Sequence, residues 1–209
     1  MTQKIIEICS PEECRNLRAE IDVAEQADKI KIWRDDSGSD IRIFRAETKI
    51  PAFQDLYGKM VDIYTRERGE APNYSFLMVN RVTPKSGNLG SGGGWHRDSW
   101  ANQQKVFSFL SDVGIENGPF EYLPGTGNLH VKLLDMLRYG RSLRTPEDRV
   151  AHRKSVPLLV NAGEGIFLDT TVLHRGRPIQ KGRRYAATLY AYNLDAKRLA
   201  RIREKFDDL

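Results

Sequence analysis

His96-Arg97-Asp98 sets an imidazole and a carboxylate two residues apart, directly after the glycine-rich stretch Ser86-Gly-Asn-Leu-Gly-Ser-Gly-Gly-Gly-Trp95. On an extended backbone, residues i and i+2 point to the same face, so His96 and Asp98 can supply two legs of a metal site. A facial set of two histidines and one carboxylate, with positions left open, is what non-haem Fe(II) oxygenases use. By itself a His-x-Asp in a loop is more often a surface hydrogen bond, so the third ligand matters.

The chain has four histidines. His130 falls in a helix-like insertion and His152 in the arginine-rich run Val150-Ala-His-Arg-Lys154, and both suit solvent. His174 follows Gly165-Ile-Phe-Leu-Asp169 and Thr171-Val-Leu173, an apolar stretch that reads as core. Taken alone, a histidine ending a buried strand is ordinarily a satisfied structural residue. The sequence beyond it changes the balance. Arg183 and Arg184 open the strand-like Tyr185-Ala-Ala-Thr-Leu-Tyr-Ala-Tyr192, which holds no acid. An uncompensated buried charge costs on the order of several kcal/mol, and a guanidinium pairs best, bidentately, with a carboxylate or phosphate. A bound dicarboxylate would meet that need. An arginine at a barrel mouth meeting a surface acid is the plain alternative.

These residues need a scaffold, and its punctuation is legible. Ser10-Pro11-Glu12-Glu13 combines an N-cap, a proline at the first helical position and a capping box; Cys14, Leu17, Ile21 and Ala24 then recur at helical spacing. Ile30 and Ile32, and then Ile41 and Ile43, alternate with basic residues around turn chemistry at Asp35–Asp40, which predicts a hairpin. A second amphipathic helix follows Pro51, with Phe53, Leu56, Tyr57, Met60 and Tyr64 on one face. From residue 75 onward come short β-type runs: Ser75–Thr83, Lys105–Val113, Phe120–Leu123, Pro157–Val160, Gly165–Asp169 and Arg184–Tyr192. One helix-like interruption, Leu129–Tyr139, sits among them, and Asp195–Phe206 reads as a terminal helix packed outside. Short strands between Gly/Pro turns predict a mainly β fold with flanking helices, a jelly roll and not alternating βαβ units. The expected division is one domain, 1–209: helices and hairpin over 1–74, a β core over 75–193, a helix over 194–209.

Four blocks in order carry a family resemblance: Trp95-His96-Arg97-Asp98; Glu116-Asn-Gly-Pro-Phe-Glu-Tyr-Leu-Pro-Gly-Thr126; Gly163-Glu-Gly-Ile-Phe-Leu-Asp169 leading to His174; and the Arg183–Arg184 pair. Over residues 76–193 the chain resembles the phytanoyl-CoA dioxygenase-like family of Fe(II)- and 2-oxoglutarate-dependent oxygenases. The resemblance implies a double-stranded β-helix, with His96, Asp98 and His174 as iron ligands. It also implies that an arginine holds the distal carboxylate of 2-oxoglutarate, and that O2 is consumed with release of succinate and CO2. Arg184 is preferred over Arg183, because counting by twos from Arg184 meets Ala186, Thr188 and Tyr190, a small and partly polar face. A carboxylate at Asp98, where related halogenases bind halide, argues for hydroxylation. The family's Pro-Gly motif is often followed quickly by Ser-His; here it continues Thr126-Gly-Asn-Leu-His130, so His130 is not given that role.

Weaker candidates complete the expected site. Asn80 interrupts Phe76-Leu-Met-Val79 and is a candidate donor to 2-oxoglutarate, with a strand-end hydrogen bond as the ordinary reading. Trp100 and Arg97 are candidate substrate contacts, Trp100 because it continues the face of His96 and Asp98. The glycines at 87–94 lack the Gly-Lys-Ser/Thr of a phosphate loop and suggest a flexible flap beside the metal. Arg138, Arg141, Arg144, Arg149, Arg153 and Lys154 make a basic stretch that is either a solvated face or a lid for an anionic substrate.

Composition narrows the function classes. The 209 residues carry 33 basic and 28 acidic side chains, a net +5, with no nameable nucleic-acid motif. No apolar run approaches the ~18 residues of a membrane span, and Met1–Cys9 lacks the pattern of a signal peptide. Two cysteines, Cys9 and Cys14, exclude a disulfide scaffold and a four-cysteine zinc site. The expectation is a reduced, cytoplasmic enzyme acting on a small molecule, with an anion well suited to the charge excess. A cupin-like metalloenzyme without 2-oxoglutarate, and a non-catalytic jelly-roll binding module, are the alternatives.

Overall fold

Helix α1 (Pro11–Gln26) begins where the capping box predicts: Glu13 N–H donates to Ser10 Oγ at 3.2 Å, and Ser10 N–H donates to Glu13 Oε2 at 2.7 Å. Cys14, Leu17, Ile21 and Ala24 are its buried stripe. The structure is a computed structural model describing residues 4–27, 30–101 and 103–206, so the last three residues of the expected terminal segment fall outside the description. Ahead of α1 lies a short strand, β1 (Ile5–Glu7), which periodicity does not announce. The predicted hairpin forms from β2 (Trp33–Arg34) and β3 (Asp40–Phe44), with Trp33 opposite Arg42. After a single turn, α2 (Ala46–Lys49), comes α3 (Gln54–Arg68), which buries Leu56, Met60, Ile63 and Tyr64.

The β runs then follow as β4 (Tyr74–Val82), β5 (Gln104–Phe109), β6 (Phe120–Tyr122), β7 (Val156–Pro157), β8 (Glu164–Asp169), β9 (His174–Gly176) and β10 (Arg184–Tyr192). Between β6 and β7 stand α4 (Leu129–Tyr139), with the bounds its periodicity predicts, and the turn-length α5 (Glu147–Val150); α6 (Ala196–Phe206) ends the described chain. Two antiparallel sheets result, one ordered β1-β8-β5-β10-β4-β3-β2 and one ordered β7-β6-β9. The large sheet takes three strands from before residue 75, because hydrogen-bonded edges of β8 and β4 accept β1 and β3. This is the mainly β architecture with flanking helices that the strand pattern predicts.

Alternation divides the large sheet into two working faces. One face, with Ile41, Ile43, Leu77, Val79, Val106, Ala187 and Leu189, packs on α1 and α3 to make the main core. The other looks toward the small sheet, where Phe109, Ile166 and Ala186 cluster with Phe120 and Leu158. Register places Tyr190 opposite both Phe76 and Lys105, and Thr188 opposite both Met78 and Phe107, on that inner face. Helix α6 packs on the outside, with its narrow apolar face turned to the end of the sheet. Ile202 and Phe206 sit against Phe44, Phe76, Met78 and Tyr192, closing one end of the inner face. Aromatic residues exposed on an open sheet end supply the reason, and Phe206 lies 5.0 Å from Phe76 ring to ring. No described helix is long and apolar enough to cross a membrane.

Candidate active site

His96 lies outside any named strand, yet its backbone runs along β9 as if it were one. His96 N–H donates to His174 O and His174 N–H donates to His96 O, both at 2.9 Å, and Asp98 N–H donates to Thr170 O at 3.0 Å. The two imidazoles thus stand opposite one another, with ring centres 4.4 Å apart, and Asp98 follows on the same face. Each ring is anchored in the same way: Nδ1 of His96 meets Gly94 O and Nδ1 of His174 meets Val172 O, both at 2.9 Å. A carbonyl only accepts, so both Nδ1 atoms carry the proton and both Nε2 atoms present a lone pair. Those Nε2 atoms lie 3.8 and 3.7 Å from the two oxygens of Asp98, and one donor atom from each residue falls within 4.8 Å of the others.

The electrostatics suit a cation. Burial pushes the His174 imidazole down to about 3, against the pull of Asp98, and lowers His96 as well, so both rings are neutral. Burial by itself would raise the Asp98 carboxyl, but Lys105 and then the two imidazoles hold it below the usual carboxylate range. Lys105, on β5, is 5% exposed, and its Nζ lies 2.8 Å from Asp98 Oδ2 and 3.9 Å from the centre of the Tyr190 ring. Burial would discharge it, and Asp98 keeps it charged. Sequence reading passes over Lys105, although parity offers a signal: it shares a strand face with Phe107 and Phe109, where a lysine needs a partner.

The three side chains open on a cavity of about 590 Å³, within the usual range for a small-molecule site. Arg184 lines it, 4% exposed, with one Nη donating to the Gly118 carbonyl and its Nε without a partner. Burial lowers this guanidinium to about 10, and no described carboxylate pairs with it. Arg183 points away, with its side chain 61% exposed and Asp22 the nearest acid at 3.9 Å. Asn80 also faces the cavity, donating from Nδ2 to Asp40 Oδ1 at 2.9 Å. Arg42, likewise unanticipated, lines the same wall and is tied to Asp40 Oδ2 at 2.6 Å.

The two expected substrate contacts turn away from the face of His96 and Asp98, and both line a second, smaller cavity. Arg97 is fully buried, and its guanidinium is consumed by the carbonyls of Thr126 and Thr171, at 2.6 and 2.5 Å, and by Asp135 at 2.5 Å. It staples the ligand segment to the loops behind it, on the opposite face from His96 and Asp98. Trp100 leaves the face it was expected to continue, since the chain turns after Asp98; its Nε1 donates to Arg141 O at 3.0 Å, and it lines a smaller neighbouring cavity. The glycine loop is packed down on the site. A Cβ on Gly92, at φ +90°, would stand 2.4 Å from His96 Cε1, so backbone approach to the ligand ring is what requires glycine there. His130 and His152 are exposed and take no part in the ligand cluster.

Residues 5–184 match the family model described as phytanoyl-CoA dioxygenase (PhyH). Among solved structures, the chain is similar to the non-haem α-ketoglutarate-dependent epimerase SnoN from nogalamycin biosynthesis, with a TM-score of 0.66 and 16% identity over 91% of this chain and 78% of that one. The α-ketoglutarate-dependent carbocyclase SnoK from the same biosynthesis gives a TM-score of 0.64 and 18% identity over 95% and 86%. HygX from Streptomyces hygroscopicus, crystallised with nickel and 2-oxoglutarate, gives 0.63 and 16% over 92% and 83%. At these identities the likeness is one of fold. No curated protein sequence matches.

Proposed function

The chain belongs to the phytanoyl-CoA dioxygenase family, and from that premise we propose an Fe(II)- and 2-oxoglutarate-dependent oxygenase that hydroxylates a C–H bond of a small molecule. One observation carries the reading: two Nδ1-anchored imidazoles and an ionised carboxylate converge on a cavity that is also lined by a buried arginine with an unpartnered Nε. The donor set of two nitrogens and one oxygen fits iron with open positions. His96, Asp98 and His174 would hold it. Iron bound there supplies O2 activation coupled to decarboxylation of 2-oxoglutarate to succinate and CO2.

The remaining work falls to the chain's own residues. Arg184 binds the distal carboxylate of 2-oxoglutarate; its Nη contact to Gly118 O sets the plane of the guanidinium, and burial strengthens the pairing. Asn80 lines the same cavity but keeps its amide on Asp40, so it shapes the pocket by orienting Asp40 and Arg42. Lys105 holds Asp98 ionised and fixes one of its oxygens. Phe107, Phe120 and Tyr190 exclude water from the inner face. The epimerase and carbocyclase activities named for SnoN and SnoK favour a second outcome, in which the substrate loses two hydrogens as water on closing a ring or, with an added reductant, is epimerised at carbon.

The test is anaerobic titration of Fe(II) into the protein with and without 2-oxoglutarate. A visible charge-transfer band that needs both supports the oxygenase, and His174→Ala should remove the band and 2-oxoglutarate-dependent O2 uptake while the protein stays folded. Iron binding without the band points to a cupin-type enzyme; no iron binding points to a binding module. Mass spectrometry of the product then separates gain of an oxygen atom from isomerisation or ring closure.

A further inference from the structure

We propose that the smaller cavity between α4, α5 and the ligand segment is a phosphoryl-binding subsite, which holds one end of the substrate beside the metal centre. The word substrate rests on the oxygenase reading; the subsite itself does not. This cavity measures about 110 Å³, and Arg97 and Arg144 line both it and the larger one. Arg138, Arg149 and Arg153 join Arg97 and Arg144 in its lining, which makes five arginines, four of them at exposed positions. The acid in the lining, Asp135, is already taken by Arg97 at 2.5 Å. None of the four makes an ion pair with a described carboxylate. Clustered like charges repel, and an oxyanion bound among them would relieve that repulsion.

Two of the four are held in place before any ligand arrives. Arg144 Nη1 donates to the carbonyls of Gly92 and Gly93, both at 2.8 Å, and the Arg149 guanidinium lies 4.3 Å over the Tyr139 ring. Fixed planar forks favour bidentate recognition of an oxyanion. A carboxylate brings one charge, whereas a phosphoryl group brings close to two and three acceptor oxygens, the better match to four guanidiniums. A concave site of about 110 Å³ differs from the extended basic face that tracks a nucleic-acid backbone. From such an anchor the rest of the molecule reaches the ligand cavity past Arg144 and Leu143, which line its wall. The basic stretch over 138–154, which iron and 2-oxoglutarate leave unused, thereby acquires a role.

Calorimetric titration of the metal-free protein with inorganic pyrophosphate, at fixed ionic strength, tests the subsite. Saturable binding is expected, weakened about 10- to 100-fold in the Arg149→Gln/Arg153→Gln double variant. Arg141→Gln removes the same kind of charge outside the cavity and should bind as wild type does. Circular dichroism checks that the variants, all at exposed positions, stay folded. No saturable binding, equal weakening by Arg141→Gln, or equal competition by acetate would overturn the proposal. Co-sedimentation with phosphatidylglycerol vesicles, lost in the double variant, would place the phosphoryl group on a lipid; pyrophosphate binding without co-sedimentation places it on a soluble molecule. Because neither iron nor 2-oxoglutarate is present, failure of the oxygenase reading leaves these isotherms unchanged, and failure of the subsite leaves the charge-transfer band unchanged.

Discussion

Lys105 Nζ lies 2.8 Å from Asp98 Oδ2, so the carboxylate proposed to bind iron is already paired with an ammonium that is itself buried. Removing one partner of a buried pair strands the other, which usually costs about 3–5 kcal/mol. Asp98 keeps 18% side-chain exposure, so Lys105→Met should destabilise the metal-free protein by about 2 kcal/mol in urea unfolding. A divalent metal then supplies the lost positive charge, so Ni(II) should recover more stability in the variant than in wild type. Equal recovery would show that Lys105 does not compensate Asp98. The same pair means that Asp98→Ala leaves a buried ammonium alone and cannot be a silent change in fold, whereas His174→Ala breaks no ion pair of that kind.

Arg183 and Arg184 are neighbours with opposite fates. Arg184→Ala should raise the 2-oxoglutarate concentration needed for half-maximal O2 uptake by about 10- to 100-fold, the worth of a charged hydrogen-bonded pair. Arg183→Ala should change it less than about twofold, because that side chain is 61% exposed on the far face. Steady-state kinetics with 2-oxoglutarate varied decides this, and equal effects would remove Arg184 from the cosubstrate site.

Glu121 on β6 is wholly buried and is held by Arg175 at 2.6 Å, Arg177 at 2.9 Å and Ser155 at 3.0 Å, with Arg175 adjacent to His174. Burial would raise its carboxyl, but the two guanidiniums and Ser155 bring it below its ordinary 4.5. A depressed folded pKa contributes stability that is present above about 4.5 and is lost as pH falls through the folded value. Urea unfolding should therefore show Glu121→Gln less stable at neutral pH by about 3 kcal/mol. Its stability should also fall less than that of wild type between neutral pH and about pH 3. Parallel losses in both proteins would contradict the assignment.

Metal uptake should be insensitive to mild acid. An unperturbed histidine near 6.5 competes for protons between about pH 7 and 6, but burial places His174 at about 3 and lowers His96 too. Asp98 is also ionised throughout that interval. Ni(II) affinity followed by tryptophan fluorescence or calorimetry should be flat from about pH 8 to 6; a steady fall across it would mean that the rings are solvated.

What could be read before folding rests on local rules. The capping box at Ser10 sets the start of α1 because its bonds span three residues. The two-residue spacing of His96 and Asp98, and the parity that turns Arg184 inward and Arg183 outward, follow from the pleat of a strand. Four ordered motifs were enough to indicate the family and its fold. Other features depend on chain segments far apart in sequence. His96 pairs with His174 only because β9, a strand of three residues, forms against it and β6. Arg97 becomes a staple because Thr126, Asp135 and Thr171 arrive behind it, and Trp100 leaves the cavity because the chain turns after Asp98. Helix α6 covers the end of the sheet because strands from three parts of the chain leave an aromatic face uncovered. Side-chain types, spacing and strand parity were thus determined by the sequence itself. Which charges meet, from Lys105 on Asp98 to the five arginines that line one cavity, was decided only by tertiary structure, since desolvation and pairing depend on neighbours that spacing along the chain does not name.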